Sequence, residues 1–237
     1  MNPLLRWRTG CAVVLCCAGL FSSAGVQAAR PFVTDGARIV DPGGCQIEIF
    51  VRKQLREAQN EFWFLPGCSP APLRRVELTL GGFRTDADAT PTMDTWIGQA
   101  KTLLVPLRAG GWGLAATLGA SRQPVAGGKR TNPYINLIAS RAFASDGPVL
   151  HFNAGVVQDR ATTRTLYTWG AGAELPLTGG LSAIAEMYNQ EAVKPSTQLG
   201  LRYWIRPDRI QVDGTFGTQA GPDMRHNWMS VGLRLLF

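Results

Sequence analysis

The sequence predicts an all-β chain: a closed antiparallel transmembrane β-barrel of about 12 strands, with 10 as the other count the pattern allows. Three observations carry that expectation. From Cys45 onward apolar and polar residues alternate with a period of two, and no convincing amphipathic helix interrupts them. Turn signals punctuate the alternation at Pro66-Gly67, Ala109-Gly110-Gly111, Ser145-Asp146-Gly147-Pro148, Thr178-Gly179-Gly180 and Pro207-Asp208. The last run sets Met229, Val231, Leu233, Leu235 and Phe237 against Ser230, Gly232, Arg234 and Leu236, and ends on the aromatic ring.

Residues 1–28 read as a cleaved signal peptide. Arg6 and Arg8 give a positive start, Cys11–Phe21 an apolar core, and Val26-Gln27-Ala28 the small residues that a leader peptidase reads. The apolar stretch is too short for a membrane anchor, and no stop-transfer charge cluster follows it. Lipidation does not fit either, since Leu15 precedes Cys16 and Cys16 precedes Cys17. Residues 29–44 then read as a short periplasmic segment that could enter the barrel mouth, and 45–237 as the outer-membrane β-barrel of a Gram-negative envelope.

The strands expected within 45–237 are 45–54, 60–66, 73–84, 94–108, 112–121, 132–143, 149–160, 164–176, 181–190, 196–206, 210–218 and 227–237. Their alternation sorts two faces. One carries Glu77, Lys101, His151, Glu174, Glu186, Arg202, Asp213 and Arg234 among small residues, which suits a narrow polar lumen lined by charge pairs. The other carries aliphatic residues, with Trp96, Trp112, Phe143, Tyr167 and Tyr203 toward strand ends, as a lipid-facing belt requires. Connections at 109–111, 144–148, 177–180 and 207–209 are short, whereas 85–93, 122–131 and 219–226 read as longer polar loops. This asymmetry puts the short turns and both ends of the barrel on the periplasmic side. The final strand, closing on Phe237, reads as a signal for the barrel-assembly machinery.

Cys45 and Cys68 remain once the leader and its three cysteines are removed, and an even pair in an exported chain reads as a disulfide. A hairpin that sets Cys45 opposite Cys68 also sets Ile47 opposite Pro66, Ile49 opposite Phe64 and Val51 opposite Phe62. Directly opposed residues of an antiparallel pair have the separation that a disulfide needs. Closing this loop of about 20 residues contributes about 3 kcal/mol in the chain-entropy view.

Composition excludes several functions. The chain has 237 residues, 24 Lys and Arg against 17 Asp and Glu, and only two His. No cysteine–histidine cluster has zinc spacing, no glycine pair opens a helix as a phosphate loop would, and no basic run supports nucleic-acid binding. No metal, no cofactor and no catalytic residue is therefore expected. The nearest catalytic pattern, His151-Phe152-Asn153, lacks a serine two residues on; His151 reads as a luminal residue paired with Asp159 or Glu174, and His226 as a loop residue. Glu77 and Glu174 read as members of a salt network rather than as an acid–base pair.

Arg30-Pro31-Phe32-Val33-Thr34-Asp35, Gly43-Gly44-Cys45-Gln46-Ile47-Glu48, Glu61-Phe62-Trp63, Leu65-Pro66-Gly67-Cys68 and Val76-Glu77-Leu78-Thr79-Leu80-Gly81 resemble a bacterial outer-membrane β-barrel family labelled as meta-pathway phenol-degradation transporters. The resemblance implies a barrel with uptake of small, often apolar or aromatic compounds, and no site residue is carried over from it. The expected function is thus a narrow channel or transporter for small solutes. A non-conducting structural or surface-interaction barrel is the alternative, and a lipid-modifying barrel enzyme is disfavoured. The expected partners are outer-membrane lipid, lipopolysaccharide and the solute, with the oligomeric state left open.

Overall fold

The computed structural model describes residues 33–56, 58–87, 90–125, 128–191, 193–220 and 226–237; the leader and residues 29–32 lie outside this set. Alternation over runs of ten or more residues gives twelve strands: β1 (Cys45–Gln54), β2 (Gln59–Cys68), β3 (Val76–Ala87), β4 (Thr90–Val105), β5 (Trp112–Val125), β6 (Gly128–Ala142), β7 (Val149–Asp159), β8 (Arg164–Thr178), β9 (Leu181–Gln190), β10 (Ser196–Arg206), β11 (Ile210–Gln219) and β12 (Asn227–Leu236). Each pairs antiparallel with its neighbours in sequence. β12 returns to β1, from Gln46 opposite Leu236 to Gln54 opposite Trp228, so the sheet closes and no edge is left unpaired.

The β1–β2 register is the one the cysteine pair requires. Cys45 lies opposite Cys68, with Ile47, Ile49 and Val51 opposite Pro66, Phe64 and Phe62. The disulfide forms across a Cα–Cα distance of 4.1 Å. At the same end of the barrel, β8 and β9 are joined through Gly179 and Gly180, at φ 50° and 85°. Two successive positive φ values are what a two-residue hairpin turn needs, and glycine adopts them without a Cβ clash.

The hairpins at the other end correct the expected loops. Residues 85–93 are not a long loop, because β3 runs to Ala87 and β4 resumes at Thr90. Nor are residues 122–131, where β5 runs to Val125 and β6 starts at Gly128. Backbone pairing continues past the apolar belt because a ladder needs only N–H and C=O groups. Polar side chains sustain it, as Arg84 and Asp94 do by pairing at 2.8 Å directly across the ladder.

The two faces invert the pattern of a water-soluble barrel. Leu80, Leu118, Leu137, Leu199 and Val231 project outward and are exposed, as are Trp96, Trp112, Phe143, Tyr167 and Tyr203. The inward face is mostly polar. One apolar patch lies on β1–β4, where Phe50, Leu65 and Ile97 pack with Trp63 and Phe83 and the Trp63 ring stacks between the two phenylalanines, and a smaller one joins Ala115 and Ile138 to Ala37.

Candidate functional site

Residues 33–44 run into the barrel from the rim where β1 begins. Gly43, at φ 89°, and Gly44 turn the chain inward, and Gly43 and Ser69 tie that turn to the end of β2. From there the segment is held almost entirely by its own backbone. Val33 N–H and Thr34 N–H donate to the Glu186 carboxylate at 2.9 and 2.8 Å. Asp35 N–H donates to Asn153 Oδ1, Ala37 N–H to Ser140 Oγ and Val40 N–H to Glu77 Oε2, each at 2.8 Å. Asn153 Nδ2 returns a bond to Asp35 C=O at 2.8 Å, and Lys101 Nζ grips Asp35 Oδ1 at 2.7 Å. The lumen therefore supplies the acceptors that this stretch of backbone lacks, which removes the penalty of burying unpaired N–H groups.

Alternation explains how distant strands converge here. Glu77 on β3, Lys101 on β4, Ser140 on β6, Asn153 on β7 and Glu186 on β9 all occupy inward positions, and all are nine-tenths or more buried. Gly170 on β8 leaves room for the segment, since a Cβ built there would stand 2.5 Å from Thr34 Oγ1. Thr34, Ala37 and Val40 fill the space and are themselves buried.

The eight residues read as luminal are all buried in the lumen, with different partners. Glu77, Lys101 and Glu186 touch the segment. Arg202 and Glu174 form a fully buried ion pair at 2.7 Å. Arg234 donates to Gln46 and lies 3.5 Å from Glu48, while Gln46 reaches Glu77 at 3.1 Å. Asp213 is buried directly opposite Arg202 on the neighbouring strand. His151 corrects its expected pairing: its Nδ1 meets Ser140 Oγ at 2.8 Å rather than Asp159 or Glu174. Sequence reasoning searched for a serine two residues along the strand, but the serine comes from the position directly opposite on β6. Pairing β6 with β7 across the Ser145–Pro148 turn is what sets Ser140 opposite His151.

The Ser140–His151 contact has the separation of a nucleophile and its base. Its chemistry is blocked where it stands. Ser140 is fully buried, and its oxygen already accepts the Ala37 N–H. Among the described residues no group of three His, Cys, Asp or Glu side chains could hold a metal ion.

On the far side of the segment from the rim lies a cavity of about 540 Å³. Val33, Thr34 and Asp35 form its floor, and its walls rise to the strand ends at Gln54, Gln190 and Gln219. Arg52 stands on this wall, with its guanidinium 5.1 Å from the Trp228 ring centre and 3.4 Å from Glu61. Among the described residues the cavity is thus floored by a bound stretch of the barrel's own chain.

A family model described as Uncharacterised conserved protein UCP029691 matches residues 16–237. No curated protein matches the sequence. Among solved structures, the chain is similar to the KdgM porin in complex with disordered oligogalacturonate, at 11% identity and a TM-score of 0.59, over 81% of this chain and 99% of that one. It is also similar to the NanC porin, at 10% identity and a TM-score of 0.57, over 80% of this chain and 98% of that one. At such identities the likeness is one of fold.

Proposed function

The chain belongs to the family described as Uncharacterised conserved protein UCP029691, and on its geometry we propose that it is an outer-membrane channel or transporter for small solutes, closed at rest by residues 33–44. The observation that carries this reading is the cradle of Glu186, Asn153, Ser140 and Glu77 around the segment's backbone. A barrel that needed only a filled core could complete it with side chains from its strands. Here the filling is a tethered chain end, which can leave while the wall stays intact.

The exposed aliphatic belt with its aromatic residues supports a bilayer setting, because a patch of that extent would aggregate in water. Strand number supports a narrow conduit, since eight strands are filled by side chains and sixteen leave an aqueous pore. The KdgM porin was solved with an oligogalacturonate. Small aromatic compounds are the cargo that the meta-pathway resemblance suggests, and both classes belong in a substrate screen. Final-strand alternation up to Phe237 supports delivery by the barrel-assembly machinery.

A second reading is a non-conducting barrel that presents its hairpins, favoured by the buried Arg202–Glu174 pair, which makes part of the lumen permanent filling. In that case the basic residues Arg122, Lys129 and Arg130 of the β5–β6 hairpin would meet lipopolysaccharide.

The test is planar-bilayer conductance of the refolded mature protein beside a variant lacking residues 29–44. Brief or absent steps from the full chain and sustained steps from the truncated one are expected. Silence from both, with liposome swelling also negative, would overturn the channel reading in favour of the structural one.

A further inference from the structure

We infer that the stretch of lumen wall around residues 33–40 is a peptide-binding site, occupied in cis by the protein's own chain, and that the solute which takes the segment's place is a short peptide carrying an acidic side chain. The inference deepens the channel reading by naming a solute class, and it rests on that reading only for the peptide's fate after binding.

The occupant shows what the wall recognises. The Glu186 carboxylate accepts two successive N–H groups, those of Val33 and Thr34, one on each oxygen. The Asn153 side-chain amide reads a single residue from both sides. Its Oδ1 accepts the Asp35 N–H and its Nδ2 donates to the Asp35 C=O, each at 2.8 Å. A side chain that meets the donor and the acceptor of one residue together is matched to main chain, which carries one of each per residue. Ser140 Oγ and Glu77 Oε2 continue the series at Ala37 and Val40, each 2.8 Å from the N–H nitrogen. These acceptors stand on β9, β7, β6 and β3, so a chain several residues long is needed to meet them all. A phenol or a single sugar ring would reach one or two.

Side chains add a selection. Lys101 is buried, and its Nζ lies 2.7 Å from Asp35 Oδ1. Glu77 stands opposite Lys101 on β3, but its oxygens face the Val40 N–H and the Gln46 amide. A peptide that brings its own carboxylate to this point keeps the buried cation paired. The places of Thr34, Ala37 and Val40 admit small side chains, since all three are buried and Gly170 clears the space beside the first. The route in is the cavity of about 540 Å³ whose floor is Val33, Thr34 and Asp35. A peptide that enters from that side meets Glu186 and Asn153 first, and it replaces the segment contact by contact.

A tethered segment competes at high effective concentration, so the test weakens the segment and leaves the wall alone. In the full mature chain carrying T34P/A37P, the segment lacks two of its main-chain donors. The probe is a fluorescently labelled, end-capped peptide with the sequence of residues 33–40, read by anisotropy in detergent. It should bind this variant more tightly than the parent chain by a factor of about ten or more. Methylating the peptide nitrogens at the Thr34 and Ala37 positions, or replacing its aspartate by asparagine, should each weaken binding by about tenfold. Both changes are made in the probe, so a folding defect in the barrel does not imitate them. Should T34P/A37P fail to refold, D35N, which releases only the Lys101 grip, takes its place. No binding to the loosened chain, or equal binding of the methylated or asparagine peptide, would overturn the inference. Because binding is read without transport, peptide binding in a silent barrel would sink the channel and leave this site standing. Conductance without peptide binding would do the reverse.

Discussion

Arg202 Nη1 lies 2.7 Å from Glu174 Oε2, across the breadth of β9, and neither side chain reaches solvent. Removing one partner would strand the other as an uncompensated buried charge, at a cost of about 3–5 kcal/mol. R202M should therefore lower the urea midpoint of unfolding sharply. The double variant R202M/E174L should recover part of the loss, because it removes the stranded Glu174 carboxylate while Asp213, buried directly opposite position 202, still lacks its arginine. Equal loss in the single and double variants would mean that the pair is not what the site depends on.

Gly170 is the wall position that gives way to the segment. G170V should push Thr34 out of its seat, since even a Cβ would stand 2.5 Å from its hydroxyl. The expected result is protease cleavage within 33–44 that is absent in the parent, with the barrel's urea midpoint nearly unchanged. A large drop in the midpoint with the segment still protected would show that Gly170 serves the wall instead.

The Cys45–Cys68 bond closes a loop with a sequence separation of 23. Reduction, or the C45S/C68S variant, should lower unfolding free energy by about 3 kcal/mol and leave the barrel folded. Circular dichroism and the urea midpoint, read with and without reductant, check both parts.

Leu118 projects from the outer wall and is 66% exposed. L118R should reduce the yield of membrane-inserted barrel and cost about 2–4 kcal/mol if that position faces the bilayer midplane. The same substitution in a water-facing wall would be nearly silent, so this variant tests the membrane setting directly.

The strands and their inward faces were legible because a period of two leaves an unmistakable trace wherever one face is apolar. The β1–β2 register was legible because two cysteines fix it. Strand ends at Ala87, Thr90, Val125 and Gly128 were not, since the ladder runs on through polar residues after the apolar face stops. Glu77, Lys101 and Glu186 could be assigned to the lumen by parity, but not to the segment they hold. The segment has no periodicity, and what it offers to the wall is main-chain N–H, which no residue type advertises. Ser140 is not legible along the strand of His151, because the contact crosses to the neighbouring strand.

Five backbone N–H groups, those of Val33, Thr34, Asp35, Ala37 and Val40, bind the segment to the wall. Every residue except proline carries that donor, so most of these contacts recognise main chain, and Asp35, held by Lys101, is the side chain that the wall also reads. Substitution within 33–40, Asp35 apart, should be tolerated wherever the new side chain fits, and proline at 33, 34, 35, 37 or 40 would disarm one contact each. The fixed half of the lock is on the strands, and a free peptide of similar length and small side chains could compete for it.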